Sequence, residues 1–285
     1  MPGDPVLALV VGLFGLLFGS FLNVCIARWP AGQSVVRPRS RCPGCGGAIA
    51  ARDNIPVLSW LVLCGRCRQC KAPISAAYPL VELATGAIWA WCAWRWGLSL
   101  EALTWALFAT ILLGIAMTDA REFIIPHEFS FGGLLIGLVL AFSAGLGTGL
   151  TAVHGAVLGA GVVYLIGVLG EFVFKKEAMG GGDVAMMAMV GAFLGWQSAI
   201  ATLFLGAFVG VLLHGITLLT HRGASPLPEP SEPRSTDEMT PEELRAAGYL
   251  PFGVSLAIAA ALIALLTGPA PINQWFADYA AMLGL

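Results

Sequence analysis

The sequence predicts an all-α polytopic membrane protein of about eight transmembrane helices, with a small cytoplasmic, zinc-ribbon-like module between the first two spans. Apolar residues make up 58% of the 285 and charged residues only 11%, and the mean hydropathy is +0.82. Soluble domains seldom combine so few charges with so many long apolar runs. Those runs approach the roughly 20 residues that cross a bilayer as a helix. The soluble module is marked by cysteine, since five of the seven fall between Cys42 and Cys70.

Taken in order, the runs predict spans near residues 6–27, 78–96, 100–118, 128–145, 150–172, 184–200, 201–220 and 251–268, the sixth and seventh meeting at the short turn Gly195-Trp196-Gln197-Ser198. The N-terminus Met1-Pro2-Gly3-Asp4-Pro5 lacks the basic region and cleavage site of a signal peptide, so the first run is expected to stay as a span. Eight spans place segments 28–77, 119–127, 173–183 and 221–250 on one side, with 14 of the 15 Lys and Arg residues. By the positive-inside rule that side is cytoplasmic. The expected organisation is a first helix over 1–27, a four-Cys module over 28–77 and a transmembrane core over 78–220. A Pro- and Glu-rich connector over 221–250 and a last helix with its tail over 251–285 complete it. Within the connector, Thr240-Pro241-Glu242-Glu243 reads as a helix start with Thr as cap and Glu three residues on. Residues Asn273 to Leu285 could form an interfacial amphipathic tail.

Cys42-Pro43-Gly44-Cys45 and Cys67-Arg68-Gln69-Cys70 are two C-x-x-C knuckles. Four thiolates so spaced suit a tetrahedral structural zinc. A module of about 50 residues has little core, so a metal staple would help it fold. Cys64-Gly65-Arg66-Cys67 is also a C-x-x-C, which leaves the ligand set open, as does a disulfide reading. Seven Arg and one Lys from Arg28 to Lys71 face the single acid Asp53. In a loop tied to a bilayer, anionic lipid head groups explain that charge better than nucleic acid does.

Two carboxylates carry the candidate chemistry. Asp119 closes the third span, and Asp183 opens the sixth after Gly180-Gly181-Gly182. An ionisable group at the edge of lipid is costly and marks a functional site by default. The topology puts both at one depth on the cytoplasmic side. Held close, two carboxylates share a proton and can activate water against a peptide carbonyl, as in aspartic proteases. Gly180 and Gly182 would keep side chains away so that a substrate backbone can approach. A capping role competes for Asp183, and an ion-coupled transporter competes for the pair. Asn23 and Glu82, near the same membrane edge, suit interhelical hydrogen bonding.

With these residues in place, the chain resembles the type IV prepilin peptidases, a bacterial family of membrane aspartic peptidases. The blocks that carry the resemblance run in order: Gly19-Ser20-Phe21-Leu22-Asn23-Val24 with Arg28-Trp29-Pro30, then Cys42-Pro43-Gly44-Cys45 and Asn54-Ile55-Pro56-Val57-Leu58-Ser59-Trp60. Gly65-Arg66-Cys67-Arg68-Gln69-Cys70, Tyr78-Pro79-Leu80-Val81-Glu82, Thr118-Asp119 with Ile125-Pro126, Gly180-Gly181-Gly182-Asp183-Val184 and Pro251-Phe252-Gly253 follow. The resemblance implies catalysis by Asp119 and Asp183 and a zinc site of Cys42, Cys45, Cys67 and Cys70, with Cys64 as an extra. It implies cleavage of prepilin or pseudopilin leaders after Gly at the cytoplasmic face of the bacterial inner membrane. These substrates belong to type IV pilus or type II secretion systems. N-methylation of the new N-terminus with S-adenosylmethionine would follow. Ala185 stands where many members have Lys, and His127 where many have an acid, so His127 could tune the pair.

Overall fold

The computed structural model describes residues 2–175, 179–220, 239–246 and 249–267. The Pro226 to Pro233 stretch of the connector and the tail Asn273 to Leu285 lie outside these. The helices are α1 (Pro5–Arg28), α2 (Leu58–Val62), α3 (Ala77–Trp96), α4 (Leu100–Glu122), α5 (His127–Ala144), α6 (Leu146–Phe174), α7 (Gly181–Leu194), α8 (Trp196–Thr220), α9 (Pro241–Ala246) and α10 (Phe252–Thr267). No named strand occurs among the described residues, and the cysteine module carries two isolated β-bridges. The chain packs as two compact units, one up to Gly114 and the other from Ile115 on.

Helices stand at all eight places marked by the apolar runs. Five of them, α1, α4, α5, α6 and α8, are long and apolar enough to cross a membrane, while α7 and α10 are shorter apolar helices. The sixth and seventh expected spans meet at the turn read from Gly195-Trp196-Gln197-Ser198, where Gly195 has φ +81°. Their bounds need correcting: α7 ends at Leu194 after only 14 residues, and α8 begins at Trp196 and not near residue 201. Residues 185–192 of α7 are all buried, so this helix is walled in by protein and needs no amphipathic period.

In the first unit, Asp4 caps α1, its Oδ1 accepting from the Val6 and Leu7 N–H groups at 2.9 and 3.2 Å. One face of α1 is small: a Cβ on Gly15 would stand 2.7 Å from Trp89 Cβ, and one on Gly19 2.7 Å from Glu82 Cα. These glycines let α1 and α3 lie backbone to backbone, which is how helices associate where no hydrophobic drive separates protein from lipid. Phe18 stacks on Trp89 at 4.3 Å. The opposite face of α1, with Leu9, Leu13, Phe14, Leu17 and Phe21, is exposed, as a lipid-facing surface should be. At the end of the pair the Asn23 side chain donates to the Tyr78 carbonyl at 3.0 Å, the interhelical role expected for it.

In the second unit, Gly155 and Gly159 of α6 lie against the backbone of Gly191 and Met187 of α7. That contact fixes the helix whose first turn holds Asp183. The connector forms α9 as its sequence predicts: Thr240 N–H donates to Glu243 Oε2 at 2.7 Å, and Glu243 N–H donates to Thr240 Oγ1 at 3.3 Å. This is the reciprocal capping box.

Candidate active site and metal centre

Asp119 sits in the last turn of α4 and is 4% exposed. Its Oδ2 accepts the Val254 N–H at 2.9 Å, one of the free donors in the first turn of α10. A carboxylate at a helix C-terminus opposes that helix's dipole. Here the N-terminus of α10 answers it. Gly253 makes the approach possible, since a Cβ there would stand 2.8 Å from Asp119 Oδ2 and 2.7 Å from Ile125 Cδ1. Gly253→Ala should therefore push Asp119 off its donor, and any reaction in which that carboxylate acts as acid or base should slow by roughly tenfold or more. Steady-state kinetics on protein of unchanged yield will read this, and an unaltered rate would remove Gly253 from the site.

Asp183 lies in the first turn of α7 and is half-buried. It is not the cap of that helix: Gly180 holds the N-cap position, and no side chain caps it. Asp183 Oδ1 is buried with no hydrogen-bond partner among the described residues. Its charge and that of Asp119 lie within electrostatic reach of one another. Sequence reasoning had only topology to pair these two residues, which are separated by 63 intervening positions. Gly180 is exposed, with φ −71° and ψ 146°, so a side chain could adopt its conformation. At Gly182 the need is close approach, as a Cβ would meet Ile125 Cβ at 3.0 Å. His127 is exposed and lies beside the Phe131 ring, 5.5 Å between centroids. Ala185 is buried in α7.

The cysteines of the first unit form one cluster. The Sγ atoms of Cys42, Cys45, Cys67 and Cys70 all lie within 4.8 Å of each other, and Cys42 and Cys70 are 3.8 Å apart. Four sulfurs at about 2.3 Å from a tetrahedral zinc would be roughly 3.8 Å apart, so the donor set fits that ion. The knuckles repeat one backbone design. Gly46 N–H donates to the Cys42 carbonyl and Lys71 N–H to that of Cys67, at 2.8 and 3.0 Å. Cys42 N–H reaches the Gly47 carbonyl and Cys67 N–H that of Ala72, at 2.9 and 2.8 Å. Both turns close through a left-handed residue, Gly46 at φ +69° and Lys71 at φ +61°. Backbone N–H groups of Cys70 and then Gln69 lower the Cys67 thiol to about 6, toward the thiolate a metal requires.

Cys64 is exposed, at φ +50°, and outside the cluster. The signal that separates it from Cys67 is legible: Arg41-Cys42 to Ile49 repeats as Arg66-Cys67 to Ile74, with Cys45 matching Cys70. Around the cluster, Trp60 Nε1 donates to the Ile74 carbonyl at 3.1 Å. Arg68 grips Asp53 at 2.6 Å and holds its carboxyl below the usual carboxylate range. Glu82 reaches out of α3 to accept the Val57 N–H at 2.7 Å. It pins a β-branched residue at φ +60°, a conformation that persists only where its surroundings enforce it.

Two family models match the chain. "Bacterial Peptidase A24 N-terminal domain" covers residues 13–96 and "Type IV leader peptidase family" covers residues 106–215. A prepilin leader peptidase/N-methyltransferase of Myxococcus xanthus (strain DK1622) is 39% identical over 243 residues, covering 85% of this chain and 72% of the relative. A protein of the same name from Stutzerimonas stutzeri is 37% identical over 245 residues, 78% of this chain and 84% of its own. A type 4 prepilin-like proteins leader peptide-processing enzyme of Escherichia coli O78:H11 is 36% identical over 243 residues, with shares of 79% and 88%. No solved structure matches the chain.

Proposed function

The chain belongs to the type IV leader peptidase family, and from that premise we propose that Asp119 and Asp183 are the carboxylate pair that cleaves prepilin or pseudopilin leaders. The observation that carries this reading is the asymmetry of the two groups. Asp119 is held by a helix N-terminus, while Asp183 keeps a buried oxygen with no protein donor. A buried acceptor left unpaired is costly, and such groups concentrate where chemistry is done. With one proton shared by the pair, the ionised carboxylate takes a proton from water as its oxygen attacks the scissile carbonyl carbon. The other carboxyl gives its proton to the carbonyl oxygen. Collapse of the tetrahedral intermediate breaks the C–N bond, and the leaving amine receives a proton as the new N-terminus. Gly180, where a Cβ would stand 3.5 Å from Asp183 Oδ2, leaves room for the substrate backbone, while the space at Gly182 is taken by Ile125.

The charge distribution supports a bacterial inner-membrane protein with this pair at the cytoplasmic face. Cys42, Cys45, Cys67 and Cys70 would hold a structural zinc, which supplies folding energy and no open coordination position. S-adenosylmethionine would supply the methyl group for the new N-terminus. A cavity of about 260 Å³ in the first unit is lined in part by Val24, Arg28, Arg39, Ser40 and Asn54. Two guanidinium groups without a carboxylate do not suit that donor, whose sulfonium and ammonium outweigh its own carboxylate, so no donor-binding residue is assigned there.

Purified enzyme, a prepilin and S-adenosylmethionine in detergent micelles test the reading by mass spectrometry of the product. The expected product lacks its leader, starts after a Gly and carries one added methyl group. An intact leader overturns the peptidase assignment, and cleaved but unmethylated pilin overturns the second activity alone.

A further inference from the structure

Helix α9 holds more than its place in the connector. The Arg245 Nη2 donates to the carbonyls of Ala120 and Arg121 at 2.9 and 2.6 Å, and its guanidinium lies over the Phe123 ring, 5.5 Å from the centroid. Those carbonyls directly follow Asp119, in the last turn of α4, where no further turn exists to donate hydrogen bonds to them. The chain then reaches Val254, whose N–H holds Asp119 Oδ2. Tyr249 N–H donates to the Leu244 carbonyl at 3.0 Å and ties the approach to α10 back to α9. Arg245 and Val254 thus grip the end of α4 at two points, the carbonyls beyond Asp119 and its carboxylate. Gly253 is wedged between Ile125 and that carboxylate, so a shift there moves the donor.

We propose that Arg245 is a positioning residue for Asp119, fastening α9 to the last carbonyls of α4 and so fixing the donor that orients the carboxylate. This rests on Asp119 being catalytic, as argued above. The guanidinium also brings positive charge to a helix end where the dipole and the Asp119 carboxylate are both negative. A planar fork that bonds two carbonyls and stacks on a ring loses less rotamer freedom than an ammonium would. Arg245 lies on an exposed part of its helix and touches no reacting atom. Its effect should therefore appear in the rate of the chemical step and not in substrate capture.

The test uses full-length enzyme in detergent micelles with a prepilin substrate. Arg245→Ala should lower kcat by about tenfold while KM stays within about twofold, the signature of an interaction that acts only on the transition state. Arg245→Lys should recover part of the loss, because an ammonium can donate to the same carbonyls but lacks the planar fork. Thr240→Ala, which opens the cap of α9, should lower kcat in the same direction by less, and it serves if Arg245→Ala does not accumulate. A kcat within about twofold of the parent, or a loss borne mainly by KM, overturns the proposal. Arg245→Lys as slow as Arg245→Ala overturns it too. Asp119→Asn separates the premises: normal cleavage by that variant removes the catalytic reading, whereas an inactive Asp119→Asn beside a normal Arg245→Ala removes only the positioning role.

Discussion

With asparagine in place of either Asp119 or Asp183, a co-expressed prepilin should keep its leader. Asparagine preserves the shape of each side chain and can still accept a hydrogen bond, so Val254 N–H retains a partner at position 119 and the helices keep their packing. What disappears is the exchangeable proton. One carboxylate must take a proton from water while the other delivers one, and an amide does neither. The rate should fall at least about a thousandfold, within what positioned acids and bases contribute, and the two single variants should be equally inactive because neither half works alone. Membrane insertion and yield should match the parent. The measurement is the ratio of processed to unprocessed pilin by immunoblot, with expression of the enzyme followed in parallel. Substantial processing by either variant would take that residue out of the pair.

The second large effect falls on the cysteine module. Cys67→Ser should empty the metal site, bringing bound zinc from one per chain to nearly none, and leave the stretch between α1 and α3 open to protease. The physical reason is the small core around the cluster: Cys42 is the buried thiol, Cys45 and Cys70 are exposed, and Trp60 and the Asp53–Arg68 pair add one contact each. Structural zinc in such modules supplies about 10–16 kcal/mol of apparent binding free energy, which nothing else in the module replaces. Cys64→Ser should change neither zinc content nor protease resistance. Metal analysis of the two purified variants decides the matter, and zinc retained without Cys67 but lost without Cys64 would reverse the ligand assignment.

The helices were readable because lipid demands long apolar runs, and Lys and Arg mark the side to which their ends return. The capping box at Thr240 and Glu243 was readable because it is local. The turn at Gly195-Trp196-Gln197-Ser198 was readable from its glycine and polar residues, but the expected bounds ran past it, because the positive φ of Gly195 ends α7 at once. The hold of Val254 on Asp119 joins residues 135 positions apart, and its sole sequence mark is a glycine at 253 that could equally have ended a loop. Arg245 was hidden for the same reason: one more basic residue in a polar connector looks like topology control until the carbonyls it reaches are known. Glu82 bonds between helices as expected, reaching Ser20 of α1, but it also clamps Val57, whose strained backbone needs restraint and left no mark in the sequence.

The pairing of α1 with α3 has a consequence for the metal. Gly15 and Gly19 bring the two helices together, and Asn23 bonds to Tyr78 where they end, so the module hangs from two points already fixed in space. Closing a free loop of about 50 residues costs roughly 3 kcal/mol in chain entropy. Here the packed α1–α3 pair meets that cost before an ion binds. The first knuckle therefore meets the second at a raised effective concentration, and the same residues cut free of their helices would bind zinc more weakly with every ligand intact. For a metal held by these four thiols, docking of α1 on α3 would thus serve as an assembly step.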